Sequence, residues 1–178
     1  MIVPSPLDGK RPRIHESAYI APNVVIIGDV EIGENTNVWP GATIRAAACR
    51  VRIGRNCSIQ ENCVIHSEAG TSIEIGDDVL IGHGAIVHGP GNVGNNTLIG
   101  IGAIKLQKAS VGTGCIVGAG ALVNKDLPDA SKAVGVPAKV IGTVSPAEST
   151  PDATGASMYC SLGRAFKKKH LDQRDVVD

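Results

Sequence analysis

An aliphatic residue recurs at every sixth position over most of this chain, and few folds can use such a pattern. It stands at Ile14, Ile20, Ile26, Ile32, Val38 and Ile44, resumes after a three-residue insertion at Ile53, Ile59 and Ile65, and resumes after a four-residue insertion at Ile75, Ile81, Val87, Val93 and Ile99. It then continues through Val111, Val117 and Val123, with Lys105 as the one break in the last run. Two residues before these positions stand mostly small residues, among them Ala18, Thr36, Ala42, Cys57, Cys63, Ala85, Thr97, Ala103, Cys115 and Ala121, as a narrow interior requires. Glycine often follows the aliphatic position, which suggests tight turns needing unusual φ/ψ. A unit of six residues cannot bury a face alone, so the units must stack into a solenoid. Composition agrees: 19 Val and 19 Ile against 8 Leu favours strands over helices.

The bulk numbers exclude several function classes. With 17 basic and 17 acidic residues there is no net charge to draw in nucleic acid or a membrane surface. No stretch approaches the roughly 18 apolar residues of a membrane span, and the opening MIVPSPLDGKRPR has no apolar core behind its charges, so a cytoplasmic location is expected. Five cysteines without a CxxC pair fit neither a disulfide framework nor a zinc ribbon. Cys57, Cys63 and Cys115 fall in the inward small slot, where a thiol acts as a small hydrophobe. Residues 145–157 read as a Pro/Ser/Thr-rich linker, and Tyr159, Leu162 and Phe166 recur at helical spacing. The expected organisation is a solenoid over 1–144, a linker over 145–157 and a C-terminal helix over 158–178 lying back on the solenoid.

Taking the repeats in threes sorts them onto three faces, and the residue after the aliphatic position then reads differently on each. The first face reads His15, Gly33, Gly54, Gly76, Gly94, Gly112, and the second Ala21, Trp39, Gln60, Gly82, Gly100, Gly118. The third has no glycine and reads Ile27, Arg45, His66, His88, Leu106, Asn124. Coils about 4.8 Å apart would stack Arg45, His66 and His88 at one corner, close enough for the two imidazoles to share a metal ion. His83 falls on the second face with Glu61 one coil below it. A threefold axis that sets one subunit's second face against a neighbour's third would complete a three-histidine set.

These residues carry a resemblance. The six-residue repeat resembles the hexapeptide-repeat family of left-handed β-helices, which implies an all-β solenoid of about six coils with a C-terminal helix. Within it, Ile59-Gln60-Glu61-Asn62-Cys63-Val64-Ile65-His66 and Ile81-Gly82-His83-Gly84-Ala85-Ile86-Val87-His88-Gly89 resemble the metal-binding segments of γ-class carbonic anhydrases. That resemblance implies a homotrimer whose metal ligands are His66, His83 and His88. It implies Zn2+, with Fe2+ or Co2+ accepted by the same set, and reversible hydration of CO2 to bicarbonate by a metal-held hydroxide. It further implies that Gln60 orients substrate and that Arg45 and Glu61 pair across the subunit boundary; Glu68, in the insertion after His66, is a candidate proton relay. The sequence departs from the family where Arg-Gly-Asp becomes Arg45-Ala46-Ala47, which removes a carboxylate that orders the pocket. Two other readings stand beside this one: acyl transfer from coenzyme A with one histidine as general base, and a non-catalytic assembly protein. Lys105 is placed inward by the period, and a buried unpaired ammonium is costly, so either the coil distorts, the side chain escapes, or a partner meets it.

Overall fold

The chain, described for residues 1–175 in a computed structural model, is an all-β left-handed parallel solenoid of about six coils with C-terminal α-helices. The six-residue period is the coil's three-sided cross-section. Its register runs Ile26, Ile44, Ile65, Val87, Lys105, Val123 on the third face. On the second face it runs Ile20, Val38, Ile59, Ile81, Ile99, Val117, Ala133. The first face stacks Ile14, Ile32, Ile53, Ile75, Val93, Val111 and Leu127. Beyond Ile14 the aliphatic members of these stacks are no more than 6% exposed, and the ten small inward residues are all at 0%. Each such Ile or Val contributes on the order of 1.5–3 kcal/mol relative to exposure, so the stack is one continuous core.

The glycine columns have a different cause from the one expected. The left-handed φ values of the turns fall three residues after the aliphatic position, at Asn35, Asn56, Asp78 and Asn96 on one corner and Asn62, Gly84, Gly102 and Gly120 on the next. The glycines directly after the aliphatic position do not have positive φ. They are needed because the coils approach there: a Cβ at Gly33 would lie 2.6 Å from the Gly54 carbonyl carbon, and one at Gly82 would lie 2.7 Å from the Ile101 nitrogen. The αL turns use Asn and Asp, whose short side chains tolerate that region.

Both insertions leave the third face. The strand Thr43–Ile53 runs unbroken through the first of them, and residues 68–71 form the turn of the second, closed by the Thr71 N–H on the Glu68 carbonyl. They therefore build up the corner beside His66.

Both ends of the solenoid are covered. Ile2–Val3 pairs with Ile26 and Ile27 at one end, and an antiparallel hairpin of Ser131–Val134 with Lys139–Thr143 closes the other, limiting the open edges a stacked sheet would otherwise present. The C-terminal helix, α2, runs Ala156–Lys168, and a short helix, α1, at Pro151–Thr154 lies within the stretch expected as linker. The helix therefore starts before residue 158 and stops at 168; residues 176–178 lie outside the described residues. It packs on the second face, where all four aromatic side chains of the chain meet, with ring centroids 5.4–6.0 Å apart among Tyr19, Trp39, Tyr159 and Phe166. Leu162, expected on the packing face, is 40% exposed. Gly163 takes its place because a Cβ there would lie 2.9 Å from Asn37 Cβ. Beyond the helix, buried Asp172 accepts the Ile20 N–H at 3.0 Å and the Arg174 Nε–H at 2.7 Å, tying the tail to the first coil.

Candidate functional site between the third and second faces

Parallel pairing puts His66 opposite Arg45 and His88 opposite His66, so the third-face column expected from the sequence is formed. The two imidazoles stand edge to face with ring centroids 5.3 Å apart. His66 Nδ1 lies 2.7 Å from the Arg45 carbonyl oxygen; with Nδ1–H as donor, the Nε2 lone pair is left free. Burial pushes His66 below the ordinary imidazole value, opposed by the Arg45 carbonyl bond, and the nearby Arg45 and His88 charges lower it further. The ring is therefore held neutral near pH 7, the form that ligates or accepts a proton. His88 Nδ1 is buried without a hydrogen-bond partner, the one such side-chain atom among the described residues. Arg45 is exposed, and Val64 and Ile86 on the same face are 39% and 37% exposed.

His83 lies on the second face, apart from this pair. Its Nδ1 is 2.6 Å from Glu61 Oε2, and its backbone N–H donates to Gln60 Oε1 at 3.0 Å. Gln60 is buried. Within one chain Gln60 and Glu61 therefore orient His83: Gln60 through the backbone, Glu61 through the ring, a carboxylate–histidine arrangement that fixes tautomer and direction. The pairing expected for Arg45 with Glu61 is not made inside the chain, where Glu61 is engaged by His83. Among the described residues no group of three His, Cys, Asp or Glu side chains gathers to hold a metal ion. His83 borders an open, mainly apolar cavity of about 380 Å3 between the second face and the helices, lined by Leu80, Leu98, Ile101 and Tyr159 among others.

Glu68 is half-buried in the second insertion, and its carbonyl accepts the Thr71 hydroxyl at 2.6 Å. Cys49, which the periodic reading passed over because it lies inside the first insertion, places Sγ 3.8 Å from His66 Nδ1; burial raises its thiol above the ordinary value. The interior thiols behave as expected, with burial pushing Cys57 up to about 12 and Cys63 up to about 11. Lys105 neither escapes nor distorts the coil. It stays in register between Val87 and Val123, is fully buried, and meets three backbone carbonyls, those of His88, Pro90 and Gly91. Burial lowers it to about 8, with Asp126 opposing.

A family model for bacterial transferase hexapeptide repeats (six repeats) matches residues 11–46. A solved Bacillus cereus protein, provisionally described as an acetyltransferase, is 34% identical with a TM-score of 0.89, covering 95% of this chain and 98% of its own. A hexapeptide transferase family protein from Anaplasma phagocytophilum is 32% identical with a TM-score of 0.86, covering 93% and 98%. The chain belongs to the hexapeptide-repeat family. Within that family it is related to carbonic anhydrases as well: the carbonic anhydrase of Geobacillus kaustophilus is 42% identical over 83 residues, 47% of this chain and 46% of that one. The matched stretch spans about half the length of the curated relatives. The fold serves both hydration and acyl-transfer chemistry, so the choice between them falls to the side chains.

Proposed function

We propose that this chain is a metal-dependent hydratase of the γ-class carbonic anhydrase kind, interconverting CO2 and bicarbonate at a site completed between copies of a homotrimer. The observation that carries this reading is the paired column: His66 and His88 one coil apart, ring centroids 5.3 Å apart, with His66 Nδ1 tied to the Arg45 carbonyl. A general base has no use for a second imidazole stacked on it, whereas a metal ion needs several. The donors fit a divalent cation in chemistry, with His66 and His88 from one chain and a second copy's His83 as the third. A bound Zn2+, or Fe2+ or Co2+, supplies the Lewis acidity that makes water a nucleophile near neutral pH. The Arg45 carbonyl and the Glu61 carboxylate hold His66 and His83 in the tautomer that leaves Nε2 free. Gln60 fixes the His83 backbone, and Glu68, in the insertion after His66, would carry a proton away. Arg45, Val64 and Ile86 offer the polar and apolar surface through which a second copy would pack.

The test is metal content per trimer on anaerobically purified protein, followed by CO2 hydration on the same sample. Mixing His66→Ala with His83→Ala protein should restore part of the metal binding, because some interfaces of the hybrid trimers recover all three ligands. No recovery after verified subunit exchange would remove the shared site.

Acyl transfer is a second reading, and the comparisons lend it more support than the first, since the full-length matches carry transferase descriptions. A specific observation also favours it: the 2.6 Å His83–Glu61 pair beside the apolar cavity has the form of an oriented general base. Turnover of acetyl-coenzyme A that persists in chelator and is lost in His83→Ala would establish it over hydration.

A further inference from the structure

We infer that Lys105 is a positioning residue for His88, a built-in cation that fixes the turn after the histidine and with it the direction of the ring. This rests on the reading that His66 and His88 act as a pair. The third-face column is Ile26, Ile44, Ile65, Val87, Lys105, Val123, so every other member is a branched aliphatic and packing alone calls for Val or Ile here. A fully buried ammonium is retained only where several acceptors replace its water. The acceptors are specific. Nζ donates to His88 O at 3.0 Å, to Pro90 O at 3.4 Å and to Gly91 O at a shorter distance.

The His88 carbonyl belongs to the peptide unit whose orientation sets ψ of His88. Two coils earlier in the same column, the Arg45 carbonyl is bound by the next coil's imidazole, His66 Nδ1. After His88 the column continues with Leu106, whose side chain has no donor, and Lys105 reaches up from the adjacent inward position to take that carbonyl instead. Sterics close the rest of the turn: a Cβ at Gly89 would lie 2.5 Å from Ser67 Oγ, and one at Gly91 would lie 2.3 Å from Ala109 O. The His88 ring has no hydrogen bond at Nδ1 to orient it, in contrast to His66 and His83. Its direction depends on the backbone, and the backbone is held by Lys105.

The experiment compares the full chain with Lys105→Met and Lys105→Val, the second restoring the column's own residue type so that the core stays filled. Imidazole 15N–1H NMR on metal-free protein reads the ring directly, and Co2+ titration reads its competence. In either folded variant the His88 signals should shift while those of His15 and His170 stay in place, and Co2+ affinity should fall ten- to a hundred-fold, as for loss of a partner that orients a metal ligand. In Lys105→Ala, added ammonium chloride should recover part of that affinity, since the three carbonyls form a ready cation site. Folded Lys105→Val with wild-type His88 signals and wild-type Co2+ affinity would overturn the proposal. Wild-type protein that binds no Co2+ would instead overturn the metal reading, and the metal-free ring signals would still decide whether Lys105 positions His88.

Discussion

The second and third faces are built from the same six-residue unit, and they put it to opposite uses. On the second face the chain covers itself. Glycines at Gly82, Gly100 and Gly118 let the coils close at the corner, α2 lies over Tyr19, Asn37 and Trp39, and Asp172 and Gln173 bond to the first coil. Even Asn37 is consumed, accepting the Trp39 Nε1–H at 2.6 Å and the Ser58 hydroxyl at 2.8 Å. On the third face the corner carries Arg45, His66 and His88, the apolar Val64 and Ile86 stay part-exposed, and among the described residues α2 packs on the second-face strands and not over the histidines. The contrast teaches that a repeat protein can separate stability from chemistry by face, because each face is a one-dimensional stack whose members feel mainly their vertical neighbours.

If that separation is real, mutations should sort by face, and the largest effect is expected at a glycine. In Gly100→Val the new Cβ would meet Ala119 N and Val117 O at 2.6 Å, both backbone atoms of the next coil that cannot move alone. A loss of about 4 kcal/mol or more is expected, read as insolubility or a large drop in the urea midpoint. A tolerated valine there would mean that the coils are not closed by steric approach.

The tail comes next. Burial pushes the Asp172 carboxyl upward, but the bonds from Arg174 and the Ile20 N–H outweigh it and hold the group below the usual carboxylate range. With the folded value below the unfolded one, its stabilisation is complete above the unfolded carboxylate value and lost as pH falls through the folded one. Asp172→Asn should therefore cost about 2 kcal/mol at pH 7, discounted for the part-exposed arginine. The gap to wild type should close in urea melts as the pH is taken from 5 towards 2. A gap independent of pH would assign the loss to packing and not to charge.

The smallest effect is expected where the chemistry is. His66→Ala in metal-free protein removes one hydrogen bond from a half-buried ring, a loss of about 1 kcal/mol and a fall in melting temperature of about 3 °C. Calorimetry that showed a collapse as large as that of Gly100→Val would make the third corner part of the scaffold and end the division between the faces.

Much of this was legible in the residues. The period located Ile59, Ile65, Ile81 and Val87 in the core and stacked His66 on His88, because vertical register in a solenoid follows from counting once the repeat is known. Insertions between Ile44 and Ile53 and between Ile65 and Ile75 did not spoil the count, since both leave at a corner. Other things counting could not reach. Gly33 and Gly82 are glycine for closeness and not for φ. Leu162 yields its place to Gly163 because Asn37 lies too near. Cys49 arrives beside His66 from outside the period, and Lys105 finds three carbonyls in a turn. Periodicity is a property of the chain that translates directly into which residues face inward and which stand above one another. The distance between two backbones, the cover a helix lays down and the partner a buried charge meets arise only when separate segments are brought together, so the tertiary structure alone decides them.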